Sequence, residues 1–251
     1  MSGELNFPTF ALVSLFIGLM VAFYFINQRR EGRRLRDIPA FYKLRGAIEV
    51  AVEDGTRIHV AIGRGDITSP QGAAALVGLS MLKQIATIAS DSDHPPTATS
   101  GDGMLGILSQ DTLRSTYQSL RLYANYDHSL GRVTGLTPFS YAAGTMSVIF
   151  DESVSSNMLA GSFGNEVALI ISAGERSQTL TMAGTDNLTG QAILYAAAHE
   201  PLIGEELYAG GAYIDAGPMH VASLHAQDIV RLVLVVILII EALRSLLSGL
   251  V

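Results

Sequence analysis

The N-terminal segment constrains this chain more than any other feature, because it is long, apolar and bounded by positive charge on one side only. No charged residue occurs from Leu5 to Ile26, and about 20 apolar residues are enough for a helix to cross a bilayer. Five arginines follow at once: Arg29, Arg30, Arg33, Arg34 and Arg36. Positive charge marks the cytoplasmic flank of a membrane helix. We therefore expect residues 1–27 to be a transmembrane anchor with its N-terminus outside, followed by a basic juxtamembrane neck at residues 28–38.

A cleaved signal peptide is the alternative for this segment. Such a peptide carries its positive charge before the apolar stretch and small residues at a cleavage site after it. Here the order is reversed, and Phe23, Tyr24 and Phe25 occupy the place of a cleavage site. This pattern favours an uncleaved anchor.

The C-terminal segment, residues 227–251, is also apolar, but charged residues interrupt it. Leu232 to Ile240 are nine consecutive large aliphatic residues, which suit lipid but are too few to span it. Glu241 and Arg244 lie three residues apart, so they share a helix face and can pair. We favour a second transmembrane helix; the alternative is an amphipathic helix that lies on the membrane or on the domain between the segments.

Small residues recur at helix-packing spacing in both segments. Such residues let helix backbones approach closely in lipid, where packing drives association. The candidate helix-packing residues are Ser14, Gly18, Ala22, Glu241, Ala242, Arg244, Ser245 and Gly249. They predict contact between helices, either within one chain or between copies.

The region between the segments, residues 39–226, is predicted to be a cytoplasmic α/β domain. Residues 38–227 contain nine basic and eighteen acidic side chains, which excludes a nucleic-acid footprint. The absence of cysteine excludes disulfides, thiolate metal sites and thiol catalysis. Membrane lipid near the basic neck is the expected non-protein partner.

Strand and helix signals alternate along this domain. Residues 47–53 and 56–62 alternate with period two around Asp54-Gly55, which predicts a hairpin, and residues 166–172 and 178–182 predict a second one. Thr137-Pro138 and Asn187 are predicted helix starts. The expected fold is α/β, a mixed sheet with helices on both faces, flanked by N-terminal and C-terminal transmembrane helices.

One glycine-rich stretch matches a nucleotide-binding pattern. Gly101, Gly103 and Gly106 have the spacing of the dinucleotide fingerprint, in which glycines let the backbone approach a pyrophosphate. However, Asp102 places a negative charge inside the loop, and no acidic residue lies about 20 positions further on. We favour a glycine-rich turn from strand to helix, with cofactor binding by Gly101, Asp102, Gly103 and Gly106 as the alternative.

Four aspartates each follow a predicted strand: Asp66, Asp102, Asp151 and Asp186. If they converged, their carboxylates could hold Mg²⁺, but Asp before a helix is usually an N-cap. His59 lies on a predicted strand among apolar residues, which favours a structural histidine over a ligand. We assign no catalytic residue, no metal and no cofactor, and an enzyme is not the favoured class.

Two stretches carry a resemblance to a known family: Ile62-Gly-Arg-Gly-Asp-Ile-Thr-Ser-Pro-Gln-Gly72 and Thr97-Ala-Thr-Ser-Gly-Asp-Gly103. The chain resembles an uncharacterised bacterial family with a membrane-anchored domain of unknown function, over most of residues 40–225. The resemblance implies no activity and no site.

These features predict a structural or scaffold subunit that self-associates into a homo-oligomeric membrane assembly through its α/β domain and its membrane helices. Other membrane-complex subunits are further expected partners. The alternative is a membrane-tethered domain that binds a nucleotide or phosphate ligand through the Gly101–Gly106 loop.

Overall fold

The computed structural model describes residues 7–29, 35–69 and 72–248. These residues divide into two compact units. The first, called here the α/β unit, contains the described residues of 36–216. The second contains the described residues of 1–35 and 217–251, and because it consists mainly of two helices it is called the helix pair.

The described residues of the α/β unit form a six-stranded sheet in the order β3-β2-β1-β4-β5-β6. Every neighbouring pair is parallel. The strands are β1 (Arg57–Gly63), β2 (Thr97–Ser100), β3 (Gly131–Val133), β4 (Val154–Ser162), β5 (Leu180–Thr185) and β6 (Glu200–Leu202). The α/β class is confirmed, but the predicted mixed sheet is wrong, since the strands are joined by helical crossovers rather than by hairpins.

Helices cover both faces of this sheet. The helices are α2 (Pro39–Glu53), α3 (Gly72–Ile88), α4 (Gly103–Ser119), α5 (Pro138–Asp151), α6 (Val167–Arg176), α7 (Leu188–Ala197) and α8 (Glu206–Tyr213). One apolar cluster joins α2, α3, α4 and α8 to one face, and a second joins α5, α6 and α7 to the other. The predicted starts of α5 and α7 are confirmed, with Thr137 and Asn187 as side-chain caps.

Both predicted hairpins are wrong. Residues 47–53 belong to α2, whose buried side chains include Phe41, Leu44, Ile48 and Ala51, so the helical period outweighs the local alternation. Asp54-Gly55 instead turns the chain from helix into strand, with Gly55 at φ +62°. Residues 166–172 overlap α6, and β5 pairs with β4 in parallel.

The chain reverses its direction across the sheet between β1 and β4, and glycines lie on both strands there. A Cβ atom at Gly161 would lie 1.9 Å from the Ile62 carbonyl oxygen. Gly63 has φ +76°, and its Cβ would lie 2.5 Å from the Ser162 carbonyl oxygen. The two central strands can therefore come this close only because neither residue has a side chain.

The helix pair consists of α1 (Phe7–Arg29) and α9 (Pro218–Ser248), which contact each other. Within the described ranges, neither these helices nor any other is long and apolar enough to cross a membrane. The predicted flanking transmembrane helices are therefore wrong. In α9 the charges of Asp228, Arg231, Glu241 and Arg244 interrupt the apolar sequence. Of the predicted neck, Arg30, Arg33 and Arg34 lie outside the described residues.

Candidate functional site

The longest run of exposed apolar residues in the described part of the chain lies on the helix pair. All nine residues from Leu232 to Ile240 in α9 expose between 47% and 69% of their surface. Eight further apolar residues of α1 are exposed: Phe10, Leu12, Val13, Leu15, Ile17, Val21, Phe25 and Ile26. Together these residues of the two helices form the helix-pair surface.

The small residues of α1 do not serve the contact between α1 and α9. Phe23 is half-buried and its ring centroid lies 5.6 Å from that of His225 in α9. Ser14, Gly18 and Ala22 are exposed, and a Cβ atom at Gly18 would meet nothing within 4 Å. The predicted small-residue stripe of α1 is therefore open along its length.

Glu241 and Arg244 pair with each other along α9. Their Oε1 and Nη1 atoms lie 3.6 Å apart, and the side chains are 63% and 78% exposed. Ala242 and Ser245 are exposed as well, whereas Gly249 lies outside the described residues. An exposed face of α9 thus carries one charge of each sign next to small side chains.

The Gly101–Gly106 loop follows β2 at the carboxyl edge of the sheet. Asp102 caps α4, its Oδ1 accepting hydrogen bonds from the backbone N–H groups of Met104 at 2.9 Å and Leu105 at 3.1 Å. A Cβ atom at Gly101 would lie 2.1 Å from Cγ of Arg64, so the arginine side chain covers this glycine. The amides that would bind a phosphate at this helix N-terminus already hold a carboxylate.

The other aspartates do not gather around a common point. Asp66 follows β1 and accepts hydrogen bonds from the N–H and Oγ1 of Thr68, which hold the pKa of its carboxyl below the ordinary value. Asp186 follows β5, and its buried Oδ1 has no hydrogen-bond partner among the described residues. Asp151 ends α5 at the opposite edge of the sheet. Nowhere in the described ranges do three or more His, Asp or Glu residues lie close enough to hold a metal ion.

An open polar depression of about 370 Å³ lies at the amino edge of the sheet. Arg57, Asp91, Asp93, Asn125 and Asp127 contribute to its lining. Asp127 is already engaged, because its Oδ1 accepts a hydrogen bond from the Ser129 N–H at 2.7 Å. Sequence reasoning missed this depression, since its residues come from the start of β1 and from two separate segments, one before β2 and one before β3.

A buried row of polar side chains, the polar seam, crosses the α/β unit. Thr97, His59, Asn157 and Thr181 are register partners on β2, β1, β4 and β5. Each exposes no more than 1% of its surface. A polar residue recurring at every second position, as in Thr97-Ala-Thr99, was the available sequence signal for this seam.

His59 occupies the centre of the polar seam and is a structural residue in this fold. Its Nδ1–H donates to Asn157 Oδ1 at 2.7 Å, and its Nε2 accepts from Thr99 Oγ1 at 2.9 Å. Burial lowers the pKa of His59 to about 4, although the hydrogen bond that His59 donates to Asn157 opposes this shift. The imidazole is therefore neutral and holds β1 against β2 and β4.

Tyr141 of α5 extends the seam to the end of β1. Its Oη accepts a hydrogen bond from the Gly63 N–H at 3.2 Å and lies 3.5 Å from Thr99 Oγ1. Burial raises the pKa of Tyr141 to about 12. The hydroxyl therefore stays protonated and serves as a bridge between helix and sheet.

Comparison with known proteins gives a family but no activity. No curated protein and no solved structure matches the chain. One family model matches residues 4–250, which is nearly the whole chain. The expected uncharacterised family is thereby confirmed, while its bacterial origin and membrane anchoring stay predictions. The chain belongs to the family described as Domain of unknown function (DUF6754).

Proposed function

We propose that this protein is a structural subunit that assembles with copies of itself through the helix-pair surface. The observation that supports this proposal is the run Leu232 to Ile240, in which every apolar side chain is about half exposed. Monomeric soluble proteins rarely expose contiguous apolar patches larger than a few hundred Å². A helix that is apolar on all sides is stable when other apolar surfaces cover it.

Two features of the helix pair favour a second copy of the chain as the occupant. The exposed stripe of Ser14, Gly18 and Ala22 lets another helix approach the α1 backbone closely. The exposed pair Glu241 and Arg244 is self-complementary, because a two-fold axis can place each Glu241 beside the Arg244 of the other copy. Lipid tails would surround this ion pair without offering it any polar contact, which is costly.

We also propose that the assembly associates with a membrane surface and that its α/β unit lies on the cytoplasmic side. The basic residues between Arg29 and Arg36 support this, since anionic headgroups attract such clusters. Other subunits of a membrane complex could share the helix-pair surface. This proposal concerns association with lipid and requires no helix that spans it.

Native mass of the full chain in mild detergent tests the self-association. We expect a discrete oligomer that Leu238→Glu dissociates, because a carboxylate on the helix-pair surface opposes burial. Leu188→Glu is the matched control: Leu188 is 82% exposed on the α/β unit, against 69% for Leu238. A monomeric wild type that floats with lipid vesicles would show that lipid, rather than a second copy, covers this surface.

Substitutions at the charge pair refine this test. Glu241→Leu and Arg244→Leu should each weaken assembly, because either leaves one charge without its partner at the interface. The double variant should recover part of the loss. If all three variants assemble like the wild type, the pair lies outside the interface.

A second candidate is a nucleotide- or phosphate-binding role for the α/β unit. The strand order favours it, because open α/β sheets bind ligands where the order reverses, here beside β1 and β4. The contacts of Asp102 and Arg64 at the Gly101–Gly106 loop count against that particular loop. Thermal melts with and without MgATP separate the candidates: a stabilisation that disappears in Asp102→Ala would favour ligand binding at the loop.

A further inference from the structure

Helix α5 has two apolar surfaces, and only one of them is buried against the rest of the α/β unit. The buried surface is formed by Tyr141, Ala142, Thr145, Val148 and Ile149. A second row of side chains, called here the α5 stripe, consists of Phe139, Ala143, Met146 and Phe150. Successive helix residues are about 100° apart, so these four side chains lie within about 60° of one another around the helix.

The α5 stripe is open to solvent. Phe139 is 64% exposed and Phe150 is 46% exposed, while Ala143 is exposed and Met146 is half-buried. The outer face of a surface helix normally carries charged and polar side chains. Here no charged residue occurs from Val133 to Phe150. The stripe therefore has the character of a contact surface.

The spacing of the α5 stripe is symmetric, which suits contact with a second copy of itself. Its members are separated by four, three and four residues, the spacing of a seam between packed helices. In an antiparallel pair of α5 helices, Phe139 lies opposite Phe150 of the second copy, and Ala143 lies opposite Met146 of the second copy. Each large ring then meets a ring, and the small alanine leaves room for the methionine. A two-fold interface requires this self-complementarity.

The distribution of charge favours a second copy over other occupants of the α5 stripe. Residues 38–227 contain nine basic and eighteen acidic side chains, so contacts elsewhere between two copies tend to bring carboxylates together. The segment from Val133 to Phe150 avoids this repulsion because it is uncharged. It also offers no basic side chain to anionic lipid headgroups and no carboxylate to a basic protein.

The charge at the end of α5 also fits the antiparallel arrangement. Asp151 is the last residue of the helix and is exposed. In the antiparallel pair it lies opposite Pro138 of the second copy, the first residue of that helix. A helix N-terminus carries partial positive charge, so a carboxylate beside it is stabilising.

We propose that α5 packs antiparallel against α5 of a second copy through the α5 stripe, as an interface additional to the helix-pair surface. A helix of 14 residues is about 21 Å long, and packed helices lie about 8–10 Å apart. The contact is therefore smaller than the roughly 800 Å² per partner of a standard interface. It reinforces an assembly rather than making a tight dimer alone.

Disulfide crosslinking of full-length chains tests this contact, because the chain has no cysteine of its own. Chains carrying Ala143→Cys are mixed with chains carrying Met146→Cys in mild detergent and oxidised. We expect a covalent dimer of the two variants, identified by its mass, since the two thiols face each other across the interface. In the control, Ser115→Cys replaces Met146→Cys, because Ser115 is exposed on α4, which covers the opposite face of the sheet. No such dimer should form in the control.

A second substitution shows whether the crosslink depends on the α5 stripe. Phe139→Glu, added to both cysteine variants, should abolish the covalent dimer because its carboxylate would be buried against an aromatic ring. Ile107→Glu is the matched control, since Ile107 is 68% exposed on α4 against 64% for Phe139, and it should leave the yield unchanged.

Three results would overturn the proposal: no covalent dimer between the two cysteine variants, an equal yield with Ser115→Cys, or a dimer that persists with Phe139→Glu. The first would show that lipid, another protein or solvent covers the stripe. Failure of self-association through the helix-pair surface would appear separately, in the native mass of Leu238→Glu.

Discussion

The two units of this protein differ in which side chains they bury and which they expose to water. The α/β unit places polar side chains such as His59, Asn157 and Thr99 in its interior, where they are almost completely buried. The helix pair exposes apolar side chains, among them every residue from Leu232 to Ile240. The first arrangement is stable because neighbouring groups of the same unit supply hydrogen bonds. The second arrangement leaves apolar side chains uncovered, and this is the surface that we propose a second copy of the chain covers.

The largest expected difference between the units comes from substituting a glycine in each. Gly161→Ala should cost about 4 kcal/mol or more, because a core backbone must move to admit a methyl group. The new Cβ would lie 1.9 Å from the Ile62 carbonyl oxygen. Gly18→Ala meets nothing within 4 Å and should leave the melting of the α/β unit unchanged. Chemical denaturation measures the stability of both variants. If Gly161→Ala is as stable as Gly18→Ala, β1 and β4 do not pack as closely as described.

The stability of the α/β unit should decrease in acid because of its buried histidine, His59. The pKa of His59 falls from 6.5 to about 4 on folding, so between these values the unfolded chain binds a proton that the folded chain does not. Stability is therefore complete above pH 6.5 and decreases as the pH falls towards 4, by up to about 3 kcal/mol. The same unfolding experiments on His59→Gln, which cannot titrate, should lose this part of the pH dependence. If His59→Gln loses stability in acid as the wild type does, groups other than His59 cause the pH dependence.

A milder test removes one partner from the polar seam. Asn157→Leu leaves the Nδ1–H group of His59 buried without an acceptor, which should cost about 1–3 kcal/mol. Asn165→Leu is the control, since Asn165 is exposed in the turn before α6. Urea denaturation of both variants gives the comparison. If Asn157→Leu is as stable as the wild type, apolar packing replaces the seam without loss.

The smallest expected effect concerns the edge of the α/β unit. Asp102→Ala removes the side-chain cap of α4 and should cost about 0.5–2 kcal/mol. Thermal melts measure this, with Asp111→Ala as the control because Asp111 is exposed within the same helix. Equal melting temperatures for Asp102→Ala and the wild type would show that the cap contributes little.

Local sequence signals gave correct results where a few neighbouring residues decide the structure. Asp102, Thr137 and Asn187 cap helices as their residue types suggest, because an N-cap bond closes within three residues. The segment 47–53 was predicted wrongly, since its alternation fits a strand while its burial follows a helix. β4 was missed because its sequence, Val-Ser-Ser-Asn-Met-Leu-Ala-Gly-Ser, is polar in the part that crosses the seam.

The sequence by itself determined the acidic composition, the lack of cysteine and the apolar character of the two terminal segments, because these follow from residue types alone. Only the tertiary structure decided that the six strands formed by the described residues run parallel and that His59 meets Asn157, which lies 98 residues further along the chain. It also decided that the small stripe of α1 is open rather than packed on α9. Long-range register and helix orientation depend on which surfaces bury each other, and no local pattern contains that information.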